Sequence, residues 1–444
     1  MRNEQWSSAE PLGNGRPMAT THAPSPSSLG PFRKALGERE LMWMMALLMA
    51  LNAFGIDAIL PALDPLAADL SVSGNDRQFV IGVYLLAGGL GSLVPGALAD
   101  RFGRRPILLG SIAVYIALSI LCVLAPTYDI LIAVRATQGF FAAGIVALPP
   151  AIIRDRVGGD KMARMMSLIF VIFLMVPAVA PSIGQAILQF GNWRAIFGVM
   201  AVLGAGMAAW VYFRLPESLT EENRQMILPR TIAVNMGRAL SMPSVVGYVF
   251  GSAVVFGALF GFINSSQQLI TETFGAGDIF PIVFGICAGS MAIASWSNSR
   301  IVERFGARRV SHTALFVFIA VSAVQVMFAF QPDEKLWHFV PLMAINMALL
   351  GFIGSNFGAI AMNPFFKIAG AASSAHGFVR MTTAALLGGA IGYAFDGTAR
   401  PLALALLASG LVCLVLVLFS EKGKLFGPSD GDMAEGQRLA KEFE

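Results

Sequence analysis

Asp57 stands in an apolar run that extends from Leu48 to Pro61, and Arg135 stands in a second such run beside Gln138. An ionised side chain surrounded by hydrocarbon costs ~2.5–3.5 kcal/mol or more, so such a group faces a cavity, pairs, or is neutral. Desolvation favours the protonated carboxylic acid and a nearby cation favours the carboxylate. An acid that alternates between those surroundings carries a proton. Asp57 is therefore read as a proton carrier; the other readings are an acid that only contacts cargo in the cavity, or one that caps a helix break near Pro61. Arg135 is read as its electrostatic partner, the other reading being a structural arginine bonded to backbone carbonyls. If both lie in one cavity, proton and cargo compete for the same charge.

A second chemistry-bearing segment follows, running from Gly96 through Asp100, Arg101, Phe102, Gly103, Arg104 and Arg105 to Pro106. Gly96 would let two helices approach, Gly103 would permit a tight turn, and Asp100 would sit near a helix N-terminus or pair with an arginine of a neighbouring helix. Arg104 and Arg105 would anchor the loop. Such an ion network can act as a latch for one conformation. A related segment occurs later: Glu303, Gly306 and Arg308 repeat Asp100, Gly103 and Arg105 at one offset of 203 residues. Internal repeats of this kind mark secondary transporter folds.

These residues are positioned by long apolar segments. The 444-residue chain is 56% hydrophobic and 13% charged, against about 25% charged in soluble domains. Candidate spans of about 20 residues fall at 41–63, 79–99, 107–125, 129–150, 166–189, 195–213, 243–270, 279–299, 310–330, 337–362, 373–395 and 401–419. The fold class is thus an all-α membrane protein with 12 transmembrane helices in two six-helix halves. Residues 1–38 read as a disordered cytoplasmic tail, 39–213 and 243–420 as the two halves, 214–242 as a cytoplasmic linker, and 421–444 as a second tail. Of 31 Lys and Arg, four (Arg77, Arg194, Lys335, Arg400) fall in loops on one side and two (Arg135, Arg380) within spans; the other 25 lie in segments on the opposite side. Positive charge accumulates on the cytoplasmic face, which places both termini there.

Net charge is +4, too small and scattered for nucleic acid. Cys122, Cys287 and Cys413 all fall in apolar runs and read as small buried hydrophobes, with no disulfide framework and no metal spacing. No cofactor motif and no Ser/His/Asp cluster appears, so an enzyme is not expected. Pro177, Pro181 and Gly184 distort the fifth span, because proline removes a backbone donor and kinks a helix while glycine allows close packing. Phe54, Tyr84, Gln138, Phe140, Asn264, Gln267, Asn346 and Arg380 are candidates to line a substrate cavity. Interhelical hydrogen bonding is the plainer reading for most of the polar ones.

The loop from Gly96 to Pro106 resembles the signature loop of the major facilitator superfamily. The stretches Ile56–Leu63, Arg135–Gly139, Ala151–Asp155, Ala163–Ser167, Val176–Gly184, Trp193–Phe197, Pro216–Ser218, Asn363–Phe365 and Gly370–Ser374 are similar to those of its Bcr/CflA-type drug:proton antiporters. Pro150 and Gln185 depart from the family's pattern. The resemblance implies the major facilitator fold and efflux of small amphipathic compounds against inward proton flow. It also implies proton transfer linked to Arg135, a sealing or hinging role for the fifth span, and a bacterial inner membrane. The expected partners are a small-molecule substrate, protons and the lipid bilayer, with the chain acting as a monomer. The alternatives are a proton-coupled uptake symporter for a metabolite and, more distantly, a transporter-like membrane sensor.

Overall fold

The computed structural model describes residues 36–157, 159–219, 229–365 and 369–426. The expected disorder of residues 1–35 and 427–444 lies outside the described residues. So do the side chains of Arg164 and Ser167.

The chain folds into helices α1 (Glu38–Asp57), α2 (Leu63–Asp69), α3 (Phe79–Gly91), α4 (Pro95–Phe102), α5 (Arg104–Leu124), α6 (Tyr128–Arg156), α7 (Gly159–Phe190), α8 (Trp193–Arg214), α9 (Pro229–Ser241), α10 (Pro243–Gln268), α11 (Phe280–Phe305), α12 (Ala307–Ala329), α13 (Leu336–Met362), α14 (Ala369–Tyr393) and α15 (Arg400–Ser420). In hydrocarbon every backbone polar group must be satisfied within the segment, which is why apolar runs of this length become helices. Among the described residues, nine helices are long and apolar enough to cross a membrane; α3 and α4, bent by 45° at their junction, would make a tenth. Helices α7 and α14 fall at the remaining predicted spans 166–189 and 373–395.

Local chemistry sets the helix starts. Thr127 caps α6 by accepting from the Ile130 amide at 3.4 Å, and Asn192 caps α8 by accepting from the Arg194 amide at 3.1 Å; prolines open α4, α10, α11 and α15, where the missing N–H is no loss. Gly103 and Gly306, 203 residues apart, both turn between helices at positive φ, +105° and +81°. A side chain would strain the backbone there.

Packing repeats as the sequence does. Helix α1 packs against α6, α7 and α8 as α10 packs against α13, α14 and α15; α5 packs against α6 and α8 as α12 packs against α13 and α15. The set α1–α8 meets the set α10–α15 mainly through α3 against α14 and α7 against α11.

Three local readings change. The first span is broken: α1 ends at Asp57, and a short turn at Leu60–Ala62 leads into α2. The charged linker 214–242 contains a helix, α9, whose Ala239 packs in a small core with Met242, Val245, Phe365 and Ala372. The C-terminal tail does not begin at 421. Glu421 accepts from Arg308 Nε at 2.7 Å, and the Phe426 amide donates to His312 Nδ1 at 3.2 Å, so residues 421–426 belong to the folded body.

Candidate functional site

Arg135 is fully buried in α6. Its Nε donates to the Val80 carbonyl at 3.2 Å, one Nη to Gln138 Oε1 at 2.8 Å, and the other Nη to the Gly55 carbonyl at 3.2 Å. The guanidinium carbon lies 4.2 Å from the ring centre of Tyr84 and 5.6 Å from that of Phe197. Gln138 Nε2 in turn donates to Ser119 at 2.7 Å, and the Tyr84 hydroxyl donates to Asn52 Oδ1 at 2.7 Å. One arginine thus ties α1, α3, α5 and α6 together. A planar fork with five donors suits that task, where lysine would not.

Asp57 lies two residues beyond Gly55, 3% exposed, and its Oδ1 is buried without a hydrogen-bond partner. Among the described residues Asp57 and Arg135 form no ion pair; Arg135 binds carbonyls instead, and α1 is the element they share. A buried carboxylate without a partner is costly, so the site favours the neutral acid or demands a ligand.

The cavity candidates separate into two groups. Gln138, Tyr84 and Asn346 are packing groups here: Asn346 donates to Gln325 Oε1 at 2.7 Å and accepts from Ser322 at 3.3 Å, joining α12 to α13. Phe54 is buried, and Phe140 stacks edge-on with Phe141 at 5.5 Å between centroids. Asn264 is buried with both amide atoms unpartnered. Gln267 donates to Asp64 and leaves its Oε1 unpartnered. Arg380 is exposed and sits 4.7 Å from the Phe256 ring centre.

The 96–105 loop forms a dense ion network at one end of the bundle. Arg104 is buried and bridges Asp100 at 2.6 Å and Asp155 at 3.1 Å. The Glu217 carboxylate accepts from the backbone amides of Arg104 and Arg105 at 2.9 and 3.2 Å, capping the start of α5. Arg105 donates to the Tyr212 carbonyl at 2.7 Å, and Arg101 lies over the Phe102 ring. Gly96 differs from its expected role: a side chain there would find only Ser374 at 4.0 Å. The close helix approaches fall at Gly91 against the Phe140 carbonyl and at Gly139 against the Tyr84 carbonyl. Helix α7 is continuous through Pro177 and Pro181, while Gly184 packs against the backbone of Ala58, where α1 breaks.

At the opposite end lies a cluster that sequence reasoning missed. Arg77 forms ion pairs with both Asp64 and Glu272, and Asp64 also accepts from Gln267. The amides of Gln78 and Asn75 each hydrogen-bond that of Gln268 at 2.8 Å, and Asn75 donates to the carbonyls of Tyr393 and Phe395 at 2.7 and 2.9 Å. Asp64, Asn75, Arg77 and Gln78 come from the first helix set, and the others from the second. The sequence signals were Arg77 as one of four basic residues on its side and Gln267 as a cavity candidate; nothing joined them.

Two pseudo-repeated helix sets, joined across one end and carrying a buried acid between helices, define a multi-span membrane transporter. The sequence matches the family model described as "Major Facilitator Superfamily" over residues 45–393, and the chain belongs to that family. It is 31% identical over 359 residues to a bicyclomycin resistance protein homolog of Haemophilus influenzae, covering 81% of this chain and 90% of that protein. It is 28% identical over 385 residues to the multidrug resistance protein MdtL of Escherichia coli, covering 85% and 94%. The fold is similar to the crystal structure of the human organic anion transporter MFSD10, at TM-score 0.61 and 15% identity, over 86% of this chain and 99% of that one.

Proposed function

We propose that the protein is a drug:proton antiporter that exports small amphipathic organic compounds across a bacterial inner membrane by alternating access. Both termini lie in the cytoplasm, and the chain acts as a monomer of two six-helix halves. The observation that carries this reading is Asp57: a membrane-embedded acid, buried, with an oxygen lacking any partner. The names of the two bacterial relatives support the cargo class.

In this reading the structure faces the cytoplasm. The Arg77 cluster closes the outer end, and Asp57 holds its proton because the ionised form has no donor to meet it. Opening the outer end separates Gln78 from Gln268 and Arg77 from Glu272, and changes the surroundings of α1 at its break. Cargo occupying the cavity then favours one protonation state of Asp57 over the other, which couples the two fluxes. Arg135 acts as a positioning residue: it grips the Gly55 carbonyl and so fixes where Asp57 stands.

Asp57→Asn is expected to abolish transport driven by a pH gradient in vesicles while the protein still inserts. Gradient-driven export retained at the wild-type rate by that variant refutes the assignment.

A further inference from the structure

Among the charged side chains of the membrane interior, Arg380 differs from the rest. Arg135 is fully buried with every donor group directed at a carbonyl or amide, and Asp57 is enclosed. Arg380 is exposed, lies twelve residues into the 25-residue helix α14, and among the described residues has no hydrogen bond and no ion pair. Its guanidinium stacks on Phe256 of α10, and the Phe256 ring in turn lies at Gly354 of α13, 3.4 Å from where a side chain would begin. Arg380 therefore points among α10, α13 and α14. The outward stripe of α14, with Leu386 at 59% and Tyr393 at 58% exposed, lies about a third of a turn away, six residues at ~100° each. One turn below Arg380 on the same face is His376, whose Nε2 is buried and unpartnered.

We propose that Arg380, backed by Phe256 and neighboured by His376, is the cargo-binding group of the second half, and that the cargo is an amphipathic organic anion. The class is a carboxylate or sulfonate on an aromatic or apolar body. This rests on the exporter reading above. The stacked face of a guanidinium leaves its fork of N–H donors free, and that fork matches a planar or trigonal oxyanion. Phe256 and Phe260, 6.5 Å apart, offer the ring surface against which the apolar body stacks. A cation would meet repulsion from Arg380 and no accessible carboxylate, since Asp57 is closed off in this state.

Charge movement follows from the class. Export of a monovalent anion against one entering proton carries two positive charges inward; a neutral cargo carries one and a monovalent cation none. The test uses the full chain in proteoliposomes under an imposed pH gradient. The probes are naphthalene-2-sulfonate, naphthalene-2-sulfonamide and 2-naphthyltrimethylammonium, which share a ring and differ in charge. We expect the sulfonate to move fastest and to be accelerated most by a membrane potential of the sign that drives proton entry. Arg380→Gln should lower the sulfonate-to-sulfonamide rate ratio by about tenfold or more, the loss expected for one charge-assisted contact. Arg380→Lys, which keeps the charge but not the fork, should restore part of that ratio. Movement of the sulfonamide or the ammonium but not the sulfonate, or an unchanged ratio in a folded Arg380→Gln protein, overturns the anion assignment and leaves the exporter reading standing. Gradient-driven movement of none of the three by the wild type overturns both.

Discussion

At the scale of single residues, burial without a partner is the feature that marks function and separates two kinds of interior charge. Arg135 satisfies its donors on carbonyls and an amide, and its loss would leave the Gly55 carbonyl and Gln138 Oε1 without that donor. Arg135→Met is expected to destabilise the protein by ~1–3 kcal/mol, the cost of buried groups left unpaired, read as a lower thermal midpoint in detergent. A midpoint unchanged from wild type counts against the tie between α1, α3 and α6. Glu334, in the loop between α12 and α13, is half-buried with an unpartnered oxygen, and burial pushes its carboxyl up to about 7 while Arg400 pulls the other way. The folded chain then binds a proton between pH 7 and about 4.5 that the unfolded chain does not. Stability falls as pH rises through that window and the cost is complete above it. Glu334→Gln should flatten the decline in thermal midpoint between pH 5 and pH 8. An identical slope in the variant refutes the shift.

At the scale of elements, glycines decide how closely helices approach. A side chain at Gly184 would meet the Ala58 carbonyl group and Pro61 Cγ at 3.1 Å, so α7 could not lie against the break in the first span. Backbone cannot step aside as a flexible side chain does. Gly184→Ala should therefore cost ~1–3 kcal/mol as an overpacking change and displace the segment that carries Asp57. Gly198→Ala on α8, where nothing lies within 4 Å, is the control and should leave the thermal midpoint near wild type. Equal behaviour of the two variants would mean that the approach at Gly184 is not limiting. The expectation that the fifth span seals or hinges came from the resemblance; the prolines by themselves predicted only a distortion. In this structure α7 runs on through both prolines, while the first span is interrupted after Asp57 and the second bends by 45°.

At the scale of the whole molecule, the two helix sets meet along α3 with α14 and α7 with α11, and are tied by polar groups at the end carrying Arg77. If that tie holds the outer end shut, weakening it shifts the population toward the opened form. Arg77→Gln, with spin labels introduced at Ser73→Cys and Asp278→Cys on opposite sets, should add a longer-distance population absent from the Arg77 parent. A distance distribution identical to the parent's shows that the cluster does not govern closure. The contacts of Arg104 among the described residues join α4, α5, α6 and the segment after α8, all within the first set.

Much of this was readable in order along the chain. Apolar run length determined the helices, because a segment in hydrocarbon must satisfy its own backbone. The 203-residue offset between Gly103 and Gly306 announced a repeat that the backbone repeats at positive φ. Asp57, Arg135 and Arg380 stood out because charge in an apolar run demands an explanation whatever the fold. Tertiary structure alone decided what each of those charges meets. Arg135 turned to the carbonyls of Gly55 and Val80 rather than to Asp57, and Arg380 turned to an aromatic ring. The cluster of Asp64, Asn75, Arg77, Gln78, Gln267, Gln268 and Glu272 exists only because two distant loops are brought to one end. The physical reason is range: hydropathy and helix spacing are local properties of consecutive residues, whereas a partner is chosen across the bundle by packing, where an offset of one helical turn exchanges a carboxylate for a carbonyl.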